Sequence, residues 1–252
     1  MGSDDLKKKA IKENKKNRVN RKEIKRNSNH NCLLIIPKIL ILTEGFSEVI
    51  YFTALKNKFS LSTLSVKKST HTDSVGIIQN AIEIAEESKK TYDKYDYIFC
   101  LFDLDTVKNK DFIEKIIKYE NQQPKQDKIK ILPIYVYPCI EIWFILHFSL
   151  CCKPFSPKGK KSTGDMAKAY LKRHAKEYSE KNEECIKSFV HNYEKAWKNS
   201  IKLIEIQRRY NSINPICTIH KLVQLLKNIS ERNNDGYIFE QNHEELFIES
   251  HI

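Results

Sequence analysis

The sequence has no long uninterrupted apolar run. Its longest, CIEIWFILHFSLCC (139–152), is broken by Glu141 and His147 and is too short to span a bilayer. The first residues are basic and polar, with no apolar segment of the kind that opens a secretory signal. Met1-Gly2 is not followed by the Ser or Thr at position 6 that N-myristoylation favours. The seven cysteines (32, 100, 139, 151, 152, 185 and 217) contain no C-x-x-C pair and accompany no paired histidines. That argues against a zinc ribbon, and the odd count argues against a disulfide framework. No internal repeat is present. These absences lead to the expectation of a cytoplasmic protein with reduced thiols and no membrane segment.

What is present begins with charge. The 252 residues carry a net charge of +12, and +7 of it sits in residues 1–30. A stretch such as KKKAIKENKKNRVNRKEIKR repels itself and buries almost nothing. It reads either as a solvated tail that aids solubility or as a basic arm that grips phosphates, with Arg18, Arg21 and Arg26 among its contacts. Nucleic acid is the favoured partner over an acidic protein. The expected organisation is a basic arm over 1–33, a catalytic core over 34–138 and a mainly helical region over 139–252, packed on the core.

Within the core, apolar runs and helical periodicities alternate. PKILILT reads as a buried strand ending at Thr43-Glu44-Gly45. SEVIYFTALKNK follows as a helix with Ser47 as its N-cap, and SLSTLSV (60–66) is a weaker strand. DSVGIIQNAIEIAEESKK is an amphipathic helix capped by Asp73. YDYIFCLFD is a strand, KDFIEKIIKYE a helix and DKIKILPIYVY another strand. This β-α-β-α-β-α-β order predicts a parallel sheet of about four strands with helices on both faces. Beyond Cys139 the pattern turns helical: CIEIWFILHFSL as about three turns, then three further helical stretches reaching TIHKLVQLLKNIS.

Ligands of such sheets gather outside the carboxyl ends of the strands. Glu44 follows the first strand, while Asp103 and Asp105 follow the third, so all three carboxylates open on one edge. Two carboxylates one residue apart bend over a strand's rim and converge on a hard cation. A third, from a neighbouring strand, completes an oxygen site for Mg²⁺ or Mn²⁺. FDLDT also imitates the opening motif of haloacid-dehalogenase-like phosphatases, where the first Asp is the nucleophile. That motif normally follows the first strand of its core, whereas here it follows the third.

Four blocks in order resemble the RloB-like family. ILTEGFSEVIYFTAL is similar to its opening strand and E-G-x-x-[ST]-E-x-x-Y-F pattern through Glu44, Gly45, Ser47 (shifted by one), Glu48, Tyr51 and Phe52. YDYIFCLFDLD fits the second block. YPCIEIWFILHF resembles the third through Pro138, Cys139, Glu141, Trp143, His147 and Phe148, with Tyr137 where Asn is usual. NPICTIHKLVQLL resembles the last through Asn214, Pro215, Thr218 and His220, with Cys217 for Ser. The resemblance implies a TOPRIM-like catalytic fold with a glutamate after strand one and D-x-D after strand three. It further implies a metal-dependent nuclease, with RNA (tRNA in particular) favoured over DNA, that works with an AAA/ABC-type ATPase in antiphage defence. A catalytically silent subunit docking on that ATPase is the rival from another class, and a homo-oligomer is compatible with both.

Further residues carry alternatives. Glu48 reads as a supporting carboxylate or a solvated helix-start charge. Glu141 in an apolar segment needs a partner or a metal. His147 reads more readily as a core histidine, although it stands near enough in sequence to support the site. Lys158, Lys160 and Lys161 form a phosphate-contacting loop or simply a soluble one, and His220 contacts phosphate or packs.

Overall fold

The computed structural model describes residues 36–91, 93–104, 111–124 and 128–232. The basic arm, with Arg18, Arg21 and Arg26, lies outside the described residues, as does Asp105.

The two most apolar runs make the centre of a sheet. β1 (Ile39–Thr43) is buried throughout and β3 (Tyr97–Asp103) at every position except its ends, as a strand covered on both faces must be. β2 (Leu64–Lys68) flanks β1, and β4 (Lys130–Tyr137) flanks β3; all three pairings are parallel. A fifth strand, β5 (Ile216–Cys217), adds to β4 in antiparallel register, giving the order β2-β1-β3-β4-β5. The sheet thus has one strand more than the periodicity predicts. Two residues are too few to show a period of two.

Alternation along the strands sorts their side chains into two cores. Leu40, Leu42, Ile98, Cys100, Phe102 and Ile131 face α2 (Ser74–Lys89) and α3 (Asp111–Gln122), which contribute Ile77, Ile78, Ala81, Phe112 and Ile116. Ile39, Ile41, Phe99, Leu101, Ile134 and Val136 face the other way, towards Tyr51, Phe52 and Leu55 of α1 (Phe46–Lys58). That second core continues without a break into α4 (Glu141–Leu146), α5 (Thr163–Leu171), α6 (Glu183–Phe189), α7 (Tyr193–Arg209) and α8 (Ile219–Arg232). Each large side chain fully buried there stabilises the fold by about 1.5–3 kcal/mol relative to exposure. The architecture is therefore α/β and Rossmann-like, with the C-terminal helices built onto one face.

Local chemistry explains most of the boundaries. Asp73 caps α2 by accepting from the Gly76 amide. Ser162 and Asp165 form a reciprocal capping box on α5. The expected cap at Ser47 is corrected: Gly45 occupies the N-cap position of α1, and Ser47 lies inside the helix, buried. The expected three-turn helix after Cys139 is also corrected, to six residues. The Asn199 amide donates to the Leu146 carbonyl at 2.8 Å, satisfying the end of α4. The chain beyond stays apolar because Cys151 and Phe155 are buried without being helical. The long helical stretch starting at Asn182 is divided by a 3₁₀ turn over Val190–Asn192.

A clasp fastens the C-terminal segment to the sheet. Thr218 bonds Tyr135 three times: its amide and its hydroxyl reach the Tyr135 carbonyl at 3.1 and 3.0 Å, and the Tyr135 amide donates to that hydroxyl at 3.0 Å. Asn214 holds both backbone groups of Phe155, at 3.0 and 2.7 Å. No helix among the described residues is long and apolar enough to cross a membrane.

Candidate active site

Because β1 to β4 run parallel, Thr43, Lys68, Asp103 and Tyr137 all end at the same edge of the sheet. α1 and α4 both begin there. Glu44 leaves β1 half-buried, and its Oε2 accepts the Asp103 amide at 3.3 Å. This bond joins the ends of two strands separated by 59 residues of chain.

Glu48 lies in the first turn of α1 and is 4% exposed. Its carboxylate folds back against Gly45, where an added Cβ would meet its Oε2 at 2.6 Å. Gly45 has an extended backbone (φ −116°), so glycine is needed there for room and not for an unusual dihedral. Burial pushes the Glu48 carboxyl up to about 7. Its own amide and that of Gly45 pull it back, while Glu141 and Glu44 push it further up.

Glu141 opens α4 and is 1% exposed. The Tyr178 hydroxyl donates to its Oε1 at 2.9 Å, while nothing among the described residues donates to its buried Oε2. Burial first, then the Glu141 charge, raise the Tyr178 hydroxyl well above its ordinary value. Cys139 feels the charges of both Glu141 and Asp103. Burial, then these two charges, hold it firmly as a thiol. Lys168 pairs with Glu180 at 2.6 Å. Burial disfavours its charge, but Glu180 and the nearby Glu141 more than offset this and keep it protonated.

The edge therefore gathers Glu44, Glu48, Asp103 and Glu141. Tyr178 and Lys168 are the additions that the sequence did not announce. They stand in helical and loop segments with no recurring motif, and only the fold carries them next to Glu141. Among the described residues no group of three His, Cys, Asp or Glu side chains is arranged to hold a metal ion. Asp105, the third ligand expected beside Glu44 and Asp103, lies outside that set.

Other singled-out residues have structural partners. His147 is 1% exposed. Its Nδ1 donates to the Trp143 carbonyl at 2.9 Å, so its Nε2 accepts from the Tyr51 hydroxyl at 3.0 Å. Burial lowers it to about 4, and it supports the core between α1 and α4. His220 Nδ1 lies 2.8 Å from the Ser200 hydroxyl and 3.2 Å from the Cys217 carbonyl, with burial lowering it to about 4. Lys158 and Lys161 close a tight exposed turn at 3.1 Å around Gly159, whose φ of +62° favours glycine; Lys160 is exposed in the same turn.

At the far end of α1 lies a groove of about 560 Å³ lined by Lys58, His191, Tyr193, Lys195, Lys198 and Lys202. None of these four lysines forms a salt bridge among the described residues. Glu194, the acid of this wall, is held by the Tyr193 hydroxyl at 3.1 Å and approached by Lys227 at 3.9 Å.

No curated protein and no solved structure matches the chain. Residues 39–226 match the family described as RloB-like protein, a span that takes in β1, the carboxylate edge and the clasp at Thr218. The chain is a member of the RloB-like protein family.

Proposed function

We propose that the protein is a TOPRIM-like, metal-dependent nuclease that cleaves nucleic-acid phosphodiesters, with RNA favoured over DNA. The observation that carries this reading is the Glu44–Asp103 contact at the carboxyl edge of a parallel sheet. The bond, from the Asp103 backbone amide to the Glu44 carboxylate, joins the ends of β1 and β3, each bearing an acidic residue, where such folds bind ligands.

The donor set suits a hard cation, since every candidate ligand is a carboxylate oxygen. Glu44, Asp103 and Asp105 would hold Mg²⁺ or Mn²⁺, and the bound ion would neutralise charge on the scissile phosphate and steady the leaving oxygen. The chain's own residues do the rest. Glu44 moves a proton for the attacking or leaving hydroxyl. Glu48, behind Gly45, sets the room and the local potential in which Glu44 works. Tyr178 fixes Glu141 at the back wall. The unpaired lysines and the basic first thirty residues draw in the polyanion. An AAA/ABC-type ATPase in an antiphage module is the proposed partner and source of control.

The test compares wild type with Glu44→Gln and Asp103→Asn. Each protein is incubated with tRNA, other RNA and DNA in Mg²⁺, alone and with the ATPase, and ends are mapped by sequencing. The expected result is metal-dependent cleavage by wild type and a loss of at least 10²-fold in both variants. Survival of cleavage and defence in both variants would favour the docking-subunit reading instead.

A further inference from the structure

Phe46 is out of place for a large apolar side chain. It is the first residue of α1, 64% exposed, and belongs to neither core. Its helix neighbours Ser47 and Glu48 are buried, so the first turn sends this one ring outward. The ring is accompanied: the Lys68 ammonium lies over it, 4.5 Å from the centroid. Lys68 ends β2 and pairs in register with Thr43, the residue before Glu44. Two residues of chain span at most about 7 Å, so Phe46 stands within about one nucleotide of Glu44. A pair of this kind contributes little to folding at an exposed position.

We propose that Phe46 and Lys68 form a nucleobase subsite beside the catalytic carboxylates. The base next to the scissile phosphate stacks on the Phe46 ring, and Lys68 contacts the adjoining phosphate. Aromatic rings accept any base because every base has a π-face, but that face must be free of its neighbours. The subsite therefore selects unpaired nucleotides in loops, ends or single strands, and rejects continuous duplex. This rests on the nuclease reading for its placement, and binding tests it apart from cleavage.

The test uses the full chain in EDTA, where a metal-dependent reaction is silent. Single-stranded RNA and DNA 12-mers carrying 2-aminopurine at successive positions are titrated against wild type, Phe46→Ala, Phe46→Leu, Phe46→Trp and Lys68→Ala. Binding to wild type should quench 2-aminopurine at one position. Phe46→Ala and Phe46→Leu should lose that quench and weaken binding about tenfold, and Phe46→Trp should keep both. Lys68→Ala should reduce the salt slope of binding by about 0.7. A duplex of the same sequence should bind equally to wild type and Phe46→Ala. Unchanged quench and affinity in Phe46→Ala and Phe46→Leu would overturn the subsite. So would a Phe46→Ala defect confined to binding the ATPase, which would make the ring a protein contact. Phe46-dependent quenching without any cleavage by wild type in Mg²⁺ would keep the subsite and remove the nuclease reading. Cleavage by Phe46→Ala at wild-type KM and kcat would do the reverse.

Discussion

At the scale of single residues, the opening and third family blocks meet in the core as well as at the edge. Tyr51 of the first block donates to His147 of the third and packs edge-on against Trp143. Part of the family pattern is thus a packing signature. Tyr51→Phe should leave the buried His147 Nε2 without a donor and cost about 1–3 kcal/mol in chemical denaturation. Glu48 makes the opposite kind of contribution. Its carboxyl is raised in the fold, so between roughly pH 4.5 and 7 the native state holds a proton that the unfolded chain releases. Stability from this group is complete below that window and is lost as pH rises through it. Glu48→Gln should therefore raise the melting temperature at pH 7.5, by roughly 2–6 °C, with no gain at pH 4.5. A scan across this range, with Mg²⁺ withheld, checks the sign. His147 works in the other direction: lowered to about 4, it withdraws stability as pH falls from about 6.5 towards 4.

At the scale of elements, what could be read from the sequence depended on length and continuity. β1 and β3 announce themselves because runs of four (Ile39–Leu42) and five (Ile98–Phe102) apolar residues fit a doubly covered strand. Asp103 at the end of β3 was legible for the same reason. α2 was legible through its spacing and Asp73. β5 was not, being held by Thr218 and Tyr135 and not by any run of its own. α4 was overestimated because burial continues past its end and periodicity cannot separate buried helix from buried coil. Ser47 looked like a cap because serine commonly is one, yet the hydroxyl turns inward near Tyr178, 131 residues away. Glu44 and Asp103 could be placed on one edge from strand order alone. The crowding of Glu48, Glu141 and Tyr178 behind them could not, since it depends on how α4 and the loop after α5 pack. Two element-scale outcomes are expected. Asp73→Ala should cost about 1 kcal/mol by removing the α2 cap. Thr218→Val should cost more, about 1–3 kcal/mol, because it leaves the Tyr135 amide without its acceptor and removes one of the two donors to the Tyr135 carbonyl. Urea melts of the two variants check the order.

At the scale of the whole molecule, charge is unevenly distributed. Acid is gathered at the carboxyl edge of the sheet, whereas unpaired lysines line a groove at the opposite end of α1. Lys195, Lys198 and Lys202 recur at three- and four-residue intervals, so they project in line along α7 with His191 one turn before. Compact ammonium groups in a row suit a phosphate backbone. On the nucleic-acid reading, the triple change of Lys195, Lys198 and Lys202 to Glu should lower the salt slope of single-strand binding by about 2. It should leave the kcat of bound substrate close to wild type. Titrations between 50 and 200 mM salt provide the measurement.

The clasp of β5 against β4 also sets an order of events during synthesis. β4 is complete at Tyr137, but the residues that bond its outer edge are Ile216 to Thr218, about 80 positions later. At roughly 5–20 residues per second, a nascent chain waits about 4–16 s with that edge open. The face that carries Glu141 is likewise uncovered until Tyr178 and the helices beyond it emerge. A ribosome-bound chain halted before Asn214 should be cut by added protease within β4, and one extended past Arg232 should resist. A chain with this geometry withholds its finished carboxylate edge from the cell until the segment around Thr218 has been made.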